Sequence, residues 1–464
     1  MSSEGEYFFT GPDFDFGFAV NDAFIFNLYS YRILVFKIDS PSGHETTANI
    51  LKIGLQKLVE RCPPLGGVIV NIPGEQRGWK KARPGPGIKL VVRDLRSKLN
   101  YEDLEAKNFP VEAFKCEEVV PISPAPIMEG EASGSVFQYT WIDGGALLTV
   151  GIDHPITDGN GMNTLMGVLA DECRLAGLVT SSTEIDGGHD NKALLGVDRS
   201  IVRALSSKSK NKPEDHPSYT FLTAPPSIEE SHPLESKESL FMFQISPSKL
   251  GELKKAANTL DSRVSTHDAN GALTWRSVML ARHKAGVVTD LDTEIEYHCP
   301  TDARRFVGLD KDYVGNMIYL VRCNLRLRDL LEPDNLPKVA ASIRSALEAR
   351  SRELIEGFHS LCKSLPDLSQ VSFGWIEKIS TTAFAMGSSW RAEQMYGADW
   401  GSEFGPVMRF RSPDVGFFGI LKGMTFICPR VQGTGPAEFQ TWLEPEGWKA
   451  LQEDELFTRF CSKI

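Results

Sequence analysis

The sequence lacks the signatures of several large protein classes. No run of about 18 uninterrupted apolar residues occurs, so we expect no transmembrane helix. The N-terminal residues are acidic and lack the basic and apolar regions of a signal peptide, which predicts a soluble, cytoplasmic protein. Lys and Arg total 50 against 61 Asp and Glu, a net charge of −11. This balance argues against general nucleic-acid binding, because phosphate neutralisation requires a basic face.

Cysteine, metal and nucleotide motifs are missing as well. The eight cysteines include no CxxC pair, which excludes zinc ribbons and thioredoxin-like redox sites and predicts buried free thiols. No two histidines have HExxH-like spacing, so we expect no metal site. GxGxxG, GxxxxGK[ST] and GxSxG are also absent, which removes support for dinucleotide-binding, P-loop and serine-hydrolase functions.

The composition is that of an ordinary globular protein. Of the 464 residues, 41% are hydrophobic and 24% are charged, which allows a large core and suggests two or three globular units. Apolar, β-branched and aromatic residues predict strands over 31–38 and 240–245. Apolar residues at helical spacing predict helices over 46–61 and 248–260.

Periodic patterning stops between these halves of the chain. Clusters of Ser, Gly, Lys and Pro over 178–238 predict a long exposed connection. We therefore divide the chain into an N-terminal half over 1–177, a crossover linker over 178–238 and a C-terminal half over 239–464.

The most informative stretch is a hairpin that leads into a histidine. Two strand-like runs, 135–141 and 146–153, are joined by Asp143-Gly144-Gly145, which is a hairpin signal. The second run continues into His154-Pro-Ile-Thr-Asp158-Gly159, and apolar residues at helical spacing follow. The pattern predicts that His154 lies where a strand gives way to a glycine turn and a helix.

The HxxxD spacing is weak evidence by itself. At ordinary composition, nine histidines give about half a match by chance. The chain indeed contains a second match, from His298 to Asp302. Only His154 follows a hairpin strand and precedes a glycine turn and a helix, and this context favours it as the functional histidine.

At these residues the chain resembles a known family. The run 141–159 resembles the HxxxDG region of the BAHD acyltransferases, which use acyl-CoA donors. Other segments follow in the family's order and extend the resemblance over nearly the whole chain: 62–67 resembles the PPLAG element, 264–276 the helix ending in Trp-Arg, 300–316 the "DxRxR … GYFGN" stretch, 388–390 the TSW element and 399–401 the DFGWG element.

The DFGWG element has two candidates. Asp399 follows Ser388-Ser389-Trp390 at the family distance and precedes Gly405-Pro406. Asp414, in Asp414-Val-Gly416, has the better local spacing. We prefer Asp399 and expect it to be structural, remote from the chemistry.

The resemblance implies both a fold and a reaction. The fold is α/β, with two chloramphenicol-acetyltransferase-like domains, each a mixed sheet flanked by helices, joined by a long crossover loop. The reaction transfers an acyl group, by default acetyl, from acyl-CoA to a hydroxyl of an apolar specialised metabolite. His154 is the implied general base, and an imidazole with a pKa near 6.5 suits that task at neutral pH. The absence of a nucleophile elbow favours direct attack over an acyl-enzyme.

Further residues take implied supporting roles. Asp158, followed by Gly159, is expected to pair with Arg304 and so hold the turn that aims His154, because a partly buried carboxylate needs a cationic partner. The alternative is that Asp158 only accepts hydrogen bonds from its own turn. Trp390 and Ser388 are candidates to donate hydrogen bonds to the oxyanion. The alternative for Trp390 is a plain core position.

The implied co-substrate is acetyl-CoA or another acyl-CoA, with no tightly bound cofactor. Arg305 and Asn316 are candidate coenzyme A contacts, and the basic runs 77–83 and 208–212 are candidates for its phosphates. We expect a monomer that acts on a small-molecule alcohol, without nucleic acid or membrane insertion.

Two alternatives stay open. One is a condensation-type enzyme that uses a carrier-protein-bound thioester, and the other is a non-catalytic binding relative. Condensation domains usually carry a second His immediately before the first, whereas this chain has Asp153 there. That difference favours the CoA-dependent enzyme.

Overall fold

The computed structural model describes residues 4–72, 77–122, 131–181, 194–208, 211–223, 239–259, 263–379, 381–390, 393–414 and 423–464. The strands are β1 Gly5–Phe9, β2 Phe16–Gly17, β3 Tyr29–Lys37, β4 Gly67–Asn71, β5 Lys80–Pro84, β6 Ile88–Asp94, β7 Ala132–Ser133, β8 Ser135–Ile142, β9 Gly145–Asp153, β10 Tyr219–Phe221, β11 Ser239–Ile245, β12 Glu294–Asp302, β13 Ile318–Arg326, β14 Val371–Phe373, β15 Phe384–Ser389, β16 Arg409–Arg411, β17 Met424–Ile427, β18 Ala437–Leu443 and β19 Ser462–Lys463. The α-helices are α1 Val20–Ala23, α2 Pro41–Arg61, α3 Tyr101–Ala106, α4 Cys116–Val119, α5 Gly159–Ser181, α6 Ser200–Ala204, α7 Pro247–Ala256, α8 Thr266–Lys284, α9 Arg304–Val307, α10 Leu327–Leu331, α11 Leu336–Glu348, α12 Arg352–Ser364, α13 Glu393–Gly397, α14 Pro445–Leu451 and α15 Glu455–Phe460.

Two large mixed sheets organise these elements. The first has the strand order β1-β6-β8-β9-β3-β16, with β6 and β8 parallel and the other neighbours antiparallel. The second has the order β13-β12-β15-β17-β18-β11-β19, with β15 parallel to both β12 and β17. A smaller sheet β2-β5-β4-β7 and the pair β10-β14 complete the strand pairing of the described residues.

The local predictions around His154 match the observed elements. The two runs of the predicted hairpin are β8 and β9, and every residue of both strands is buried. Ile142 pairs with Gly145, so Asp143 and Gly144 form the turn, and Gly144 has a φ of +71°, which suits glycine. The predicted helix is α5, which packs against α2 beside the first sheet.

The segment expected to be an exposed crossover is not exposed throughout. Residues 182–193, 209–210 and 224–238 lie outside the described part of the chain. In the part that is described, Arg199, His216 and Tyr219 are buried, and Arg199 forms an ion pair with Asp22. Composition hid this because a few buried anchors do not change the average of a Ser- and Lys-rich segment.

The two halves of the chain interlock. Strand β16 belongs to the C-terminal half, yet its residues 409–411 pair antiparallel with β3 in the first sheet. One core cluster of buried apolar side chains contains residues of both halves. The division at 177 and 239 stays a prediction about chain organisation.

Candidate active site

A cavity of about 230 Å³ lies between the two sheets and receives side chains from both. His154 lines it from the end of β9, and Ser30 and Arg32 line it from the neighbouring strand β3. From the second sheet it receives Ser388 and Trp390. Most of its remaining wall is apolar: Ile25, Phe26, Leu28, Ile318, Leu320, Phe373, Trp375, Met386, Met424 and Phe426.

The backbone of His154 is fixed on both sides. Its N–H donates to the Leu28 carbonyl at 2.9 Å, which continues the pairing between β9 and β3. Its carbonyl accepts from Asn316 Nδ2 at 2.8 Å. In the ring, Nδ1 is buried without a hydrogen-bond partner among the described residues, which leaves Nε2 as the nitrogen able to meet a ligand in the cavity.

The surroundings of His154 favour its neutral form. Burial lowers the pKa of this imidazole, the Arg32 cation lowers it further, and its own backbone and Asp158 act in the opposite direction. The pKa of His154 therefore lies below the usual value of 6.5. A neutral imidazole at neutral pH is the form that can accept a proton.

Asp158 borders the cavity, and its carboxylate is engaged in a buried ion pair. Arg304 Nη1 and Nη2 donate to its two carboxylate oxygens, each at 2.8 Å, and both side chains are buried. Burial alone would raise the pKa of Asp158, but Arg304 and the backbone donors Gly161 and Met317 hold it below its usual value. The carboxylate thus ties the His154 turn to the second sheet, and it also accepts from its own turn through Gly161 N at 2.9 Å.

The glycines of this turn differ in what they require. A Cβ on Gly159, which borders the cavity, would meet nothing within 4 Å. A Cβ on Gly161 would meet the Val314 carbonyl oxygen at 2.0 Å and Thr157 Oγ1 at 2.3 Å. Close approach to the second half of the chain therefore requires glycine at 161, while Gly159 leaves room in the cavity.

Asn316, a candidate coenzyme A contact from the sequence, lies instead beneath the His154 turn. It is fully buried, and its amide donates to the carbonyls of His154 and Pro155 and to Asp22 Oδ1. Asp22 is paired in turn with Arg199 at 3.0 Å. These contacts indicate that Asn316 positions the turn, since its donors are already occupied by protein groups.

The other candidate residues lie at varied places. Arg305 is exposed on α9, with its guanidinium 4.7 Å from the Phe306 ring. Asp399 is exposed, accepts from Gly401 N and lies 3.8 Å from Arg174 of α5. Asp414 accepts from the Trp442 indole at 3.0 Å. Neither aspartate lines the cavity around His154.

The candidate basic runs are partly engaged. In 77–83, Lys80 donates to the Ile25 carbonyl and Arg83 forms an ion pair with Glu131. Of 208–212, residues 209 and 210 lie outside the described part of the chain. Among the described residues, no group of three or more His, Cys, Asp or Glu side chains is arranged to hold a metal ion. No helix of this part of the chain is long and apolar enough to cross a bilayer.

Comparison with known proteins shows which families and proteins this chain is similar to. Residues 28–173 match the family described as trichothecene 3-O-acetyltransferase-like N-terminal domain. The chain is 28% identical over 460 residues to trichothecene 3-O-acetyltransferase TRI101 of Fusarium sporotrichioides, covering 95% of each protein. The chain is a relative of the BAHD-type acyltransferases.

Solved structures show that this relationship extends to the fold. TRI101 of F. graminearum, complexed with coenzyme A and deoxynivalenol, aligns over 97% of this chain and 99% of its own with a TM-score of 0.80 and 21% identity. Vinorine synthase aligns over 96% of each chain with a TM-score of 0.62 and 15% identity. The expected BAHD-type fold of two chloramphenicol-acetyltransferase-like domains is confirmed.

One relative is much longer than this chain. The Penicillium crustosum protein named enoyl-CoA isomerase/hydratase claC is 27% identical over 476 residues. The match includes 97% of this chain and 51% of that protein, so the chain spans about half the length of this relative.

Sequence reasoning missed two parts of the site. Arg32 was visible as one of two cations, with Lys37, in the otherwise apolar segment 31–38, and a charge within such a strand was the available signal. The contacts of Asp22 with Arg199 and Asn316 join residues 177 and 294 positions apart. Local sequence patterns do not predict contacts between residues so far apart in the chain.

Proposed function

We propose that this protein is an acyl-CoA-dependent O-acyltransferase that moves an acyl group, by default acetyl, to a hydroxyl of a small metabolite with an apolar body. The observation that carries the proposal is the placement of His154. A neutral imidazole lines a largely apolar cavity between the two sheets, on a turn held by the buried Asp158–Arg304 pair. Relatives named as O-acetyltransferases, and TRI101 crystallised with coenzyme A, support the same reaction class.

The geometry suggests a direct transfer. His154 Nε2 takes the proton of the acceptor hydroxyl as its oxygen attacks the thioester carbonyl, forming a tetrahedral oxyanion. Collapse breaks the C–S bond, and the coenzyme A thiolate takes the proton back from His154. The products are the ester and coenzyme A, and no acyl-enzyme is required.

Trp390 and Ser388 are the proposed donors to the oxyanion. Both line the cavity from β15 and the residue that follows it. No described residue accepts a hydrogen bond from the Trp390 indole N–H, so that donor is available to a ligand. Asp158, Arg304 and Asn316 act on the chemistry only by holding the turn, Gly159 leaves room in the cavity beside it, and Asp399 lies outside the cavity.

Calorimetric titration of acetyl-CoA into the wild-type protein and His154→Ala tests the proposal. We expect micromolar binding to both, with release of coenzyme A in the presence of an acceptor only in the wild type. If neither folded form bound acetyl-CoA, the assignment of acyl-CoA as the donor would be wrong. That result would favour a carrier-protein-bound thioester as donor, or a non-catalytic binding protein.

A further inference from the structure

Among the described residues, the cavity is lined by one buried arginine that the proposed mechanism does not use. Arg32 lies in β3, is 3% exposed and lines the same cavity as His154. Its neighbours Tyr31 and Ile33 point to the opposite side of the strand, where they belong to a separate apolar core. The charge is thus directed toward the space where a substrate would bind.

No counter-charge from the described residues reaches Arg32. Its guanidinium donates a hydrogen bond from Nη1 to the carbonyl of Tyr31 at 2.8 Å, and no carboxylate of the described residues lies within ion-pair distance. The two aspartates that border the cavity, Asp158 and Asp302, are both bonded to Arg304. The nearby Cys428 thiol is neutral at physiological pH, because burial raises its pKa to about 12.

Aromatic packing fixes the guanidinium in place. Its central carbon lies 3.5 Å from the centroid of the Trp390 ring. The Phe426 ring stacks on Trp390 with centroids 4.0 Å apart. Both distances are too short for Arg32 and Phe426 to share one face, so they cover opposite faces of the indole. This arrangement stabilises the cation but neutralises none of its charge.

Burial of this cation is costly without an anion. Burial lowers the pKa of Arg32 to about 9, so the side chain remains charged at neutral pH. An uncompensated charge in an apolar cavity is unfavourable, and a ligand carboxylate would remove that penalty. Arginine presents a planar set of donors that matches a carboxylate with two parallel hydrogen bonds.

The shared cavity makes the acceptor the partner that we expect for Arg32. Arg32 pairs with Val150, and His154 follows four residues later, about 13 Å along a strand. This backbone spacing and the shared cavity allow one acceptor to present a hydroxyl to His154 and an anionic group to Arg32.

We propose that Arg32 binds an anionic group of the acceptor, so that the acceptor is a hydroxylated organic acid with an apolar body. This inference rests on the proposed function, in which the bound molecule is an acyl acceptor, and it specifies the chemical class of that acceptor.

A charge-matched pair of probes tests it without knowledge of the natural acceptor. Binding of 2-naphthoate and of its neutral amide, 2-naphthamide, is measured calorimetrically on the wild type, Arg32→Met and the exposed-arginine control Arg459→Met. We expect the wild type and the control to prefer the acid by about tenfold to a hundredfold, as charge-assisted hydrogen bonds allow. Arg32→Met should bind acid and amide equally.

Several results would overturn the proposal. Equal affinity of the wild type for acid and amide, or no binding of either, contradicts it even if Arg32→Met does not fold. A preference for the acid that persists in Arg32→Met places the anion site elsewhere.

Acetyl-CoA and acetyl-pantetheine, which lacks the nucleotide phosphates, separate two sources of the anion. If Arg32→Met weakens acetyl-CoA binding but not acetyl-pantetheine binding, Arg32 meets the coenzyme phosphates and the acceptor assignment is wrong. Unchanged binding of both donors, together with loss of the acid preference, supports it. If the wild type binds acetyl-CoA but does not prefer the acid, the role of Arg32 is contradicted and the proposed function is not.

Discussion

The chain contains the HxxxD spacing twice, and the structure gives the two copies opposite surroundings. His154 follows the last residue of β9, so the chain turns between His154 and Asp158. His298 and Asp302 both lie within β12, where four residues of extended chain separate them by about 13 Å. The same spacing therefore makes a compact turn in one place and two unconnected positions in the other.

The two histidines differ in their neighbours as well. His154 faces the cavity, and no carboxylate of the described residues is bonded to its ring, whereas His298 is fully buried and bonded to Glu296 at 2.9 Å. Both aspartates reach Arg304, but the Asp158 side chain is 3% exposed and the Asp302 side chain 43%. The strand end and the burial around each motif therefore distinguish the two copies, whereas the residue spacing does not.

The largest expected effect separates the histidines. His154→Gln should lower the rate of acyl transfer by about 10²- to 10⁴-fold, the usual contribution of a general base, with little change in Tm. His298→Gln should keep turnover within a few-fold once its Tm shows that it is folded, because its ring faces Glu296. Comparable losses of kcat in both folded variants would contradict the assignment.

The two aspartates should differ in stability. Removing one partner of a buried ion pair costs about 3–5 kcal/mol, which predicts a large fall in Tm for Asp158→Asn or Arg304→Met, with loss of activity. Asp302→Asn should cost less than about 1 kcal/mol, as is usual for partly exposed pairs. Chemical denaturation of the three variants measures this order, and an Asp158→Asn protein with unchanged stability and turnover would refute the supporting role.

Sequence reasoning recovered the parts of this site that are local in the chain. The hairpin, the turn at His154 and the following helix are encoded in consecutive residues, and the pairing of Asp158 with Arg304 came from the family resemblance. The contacts of Arg199 and Asn316 were missed because they depend on how distant segments pack. Asn316 was assigned to coenzyme A, since a polar residue in a motif does not reveal whether its partner is ligand or protein.

A smaller effect is expected at the oxyanion. Trp390→Phe keeps the ring that stacks on Phe426 but removes the indole N–H, so kcat should fall by about 10²- to 10³-fold at nearly constant KM for the donor. Trp448→Phe is a matched control, because this buried tryptophan stacks on Phe241 outside the cavity. Equal kcat values for Trp390→Phe and the wild type would show that Trp390 only contributes to packing.

The smallest expected effect is in the pH profile, and it again contrasts the two motifs. The general base must be unprotonated, so activity is lost as pH falls through the pKa of His154. Because burial and Arg32 lower that pKa, the acid limb of kcat/KM should have its midpoint below 6.5. Arg32→Met removes one of these causes and should move the midpoint upward by a small amount. Arg322→Met provides the control, since Arg322 lowers the pKa of His298 instead and should leave the limb in place. A midpoint that shifts with Arg322→Met and not with Arg32→Met would assign the titrating base to the second motif.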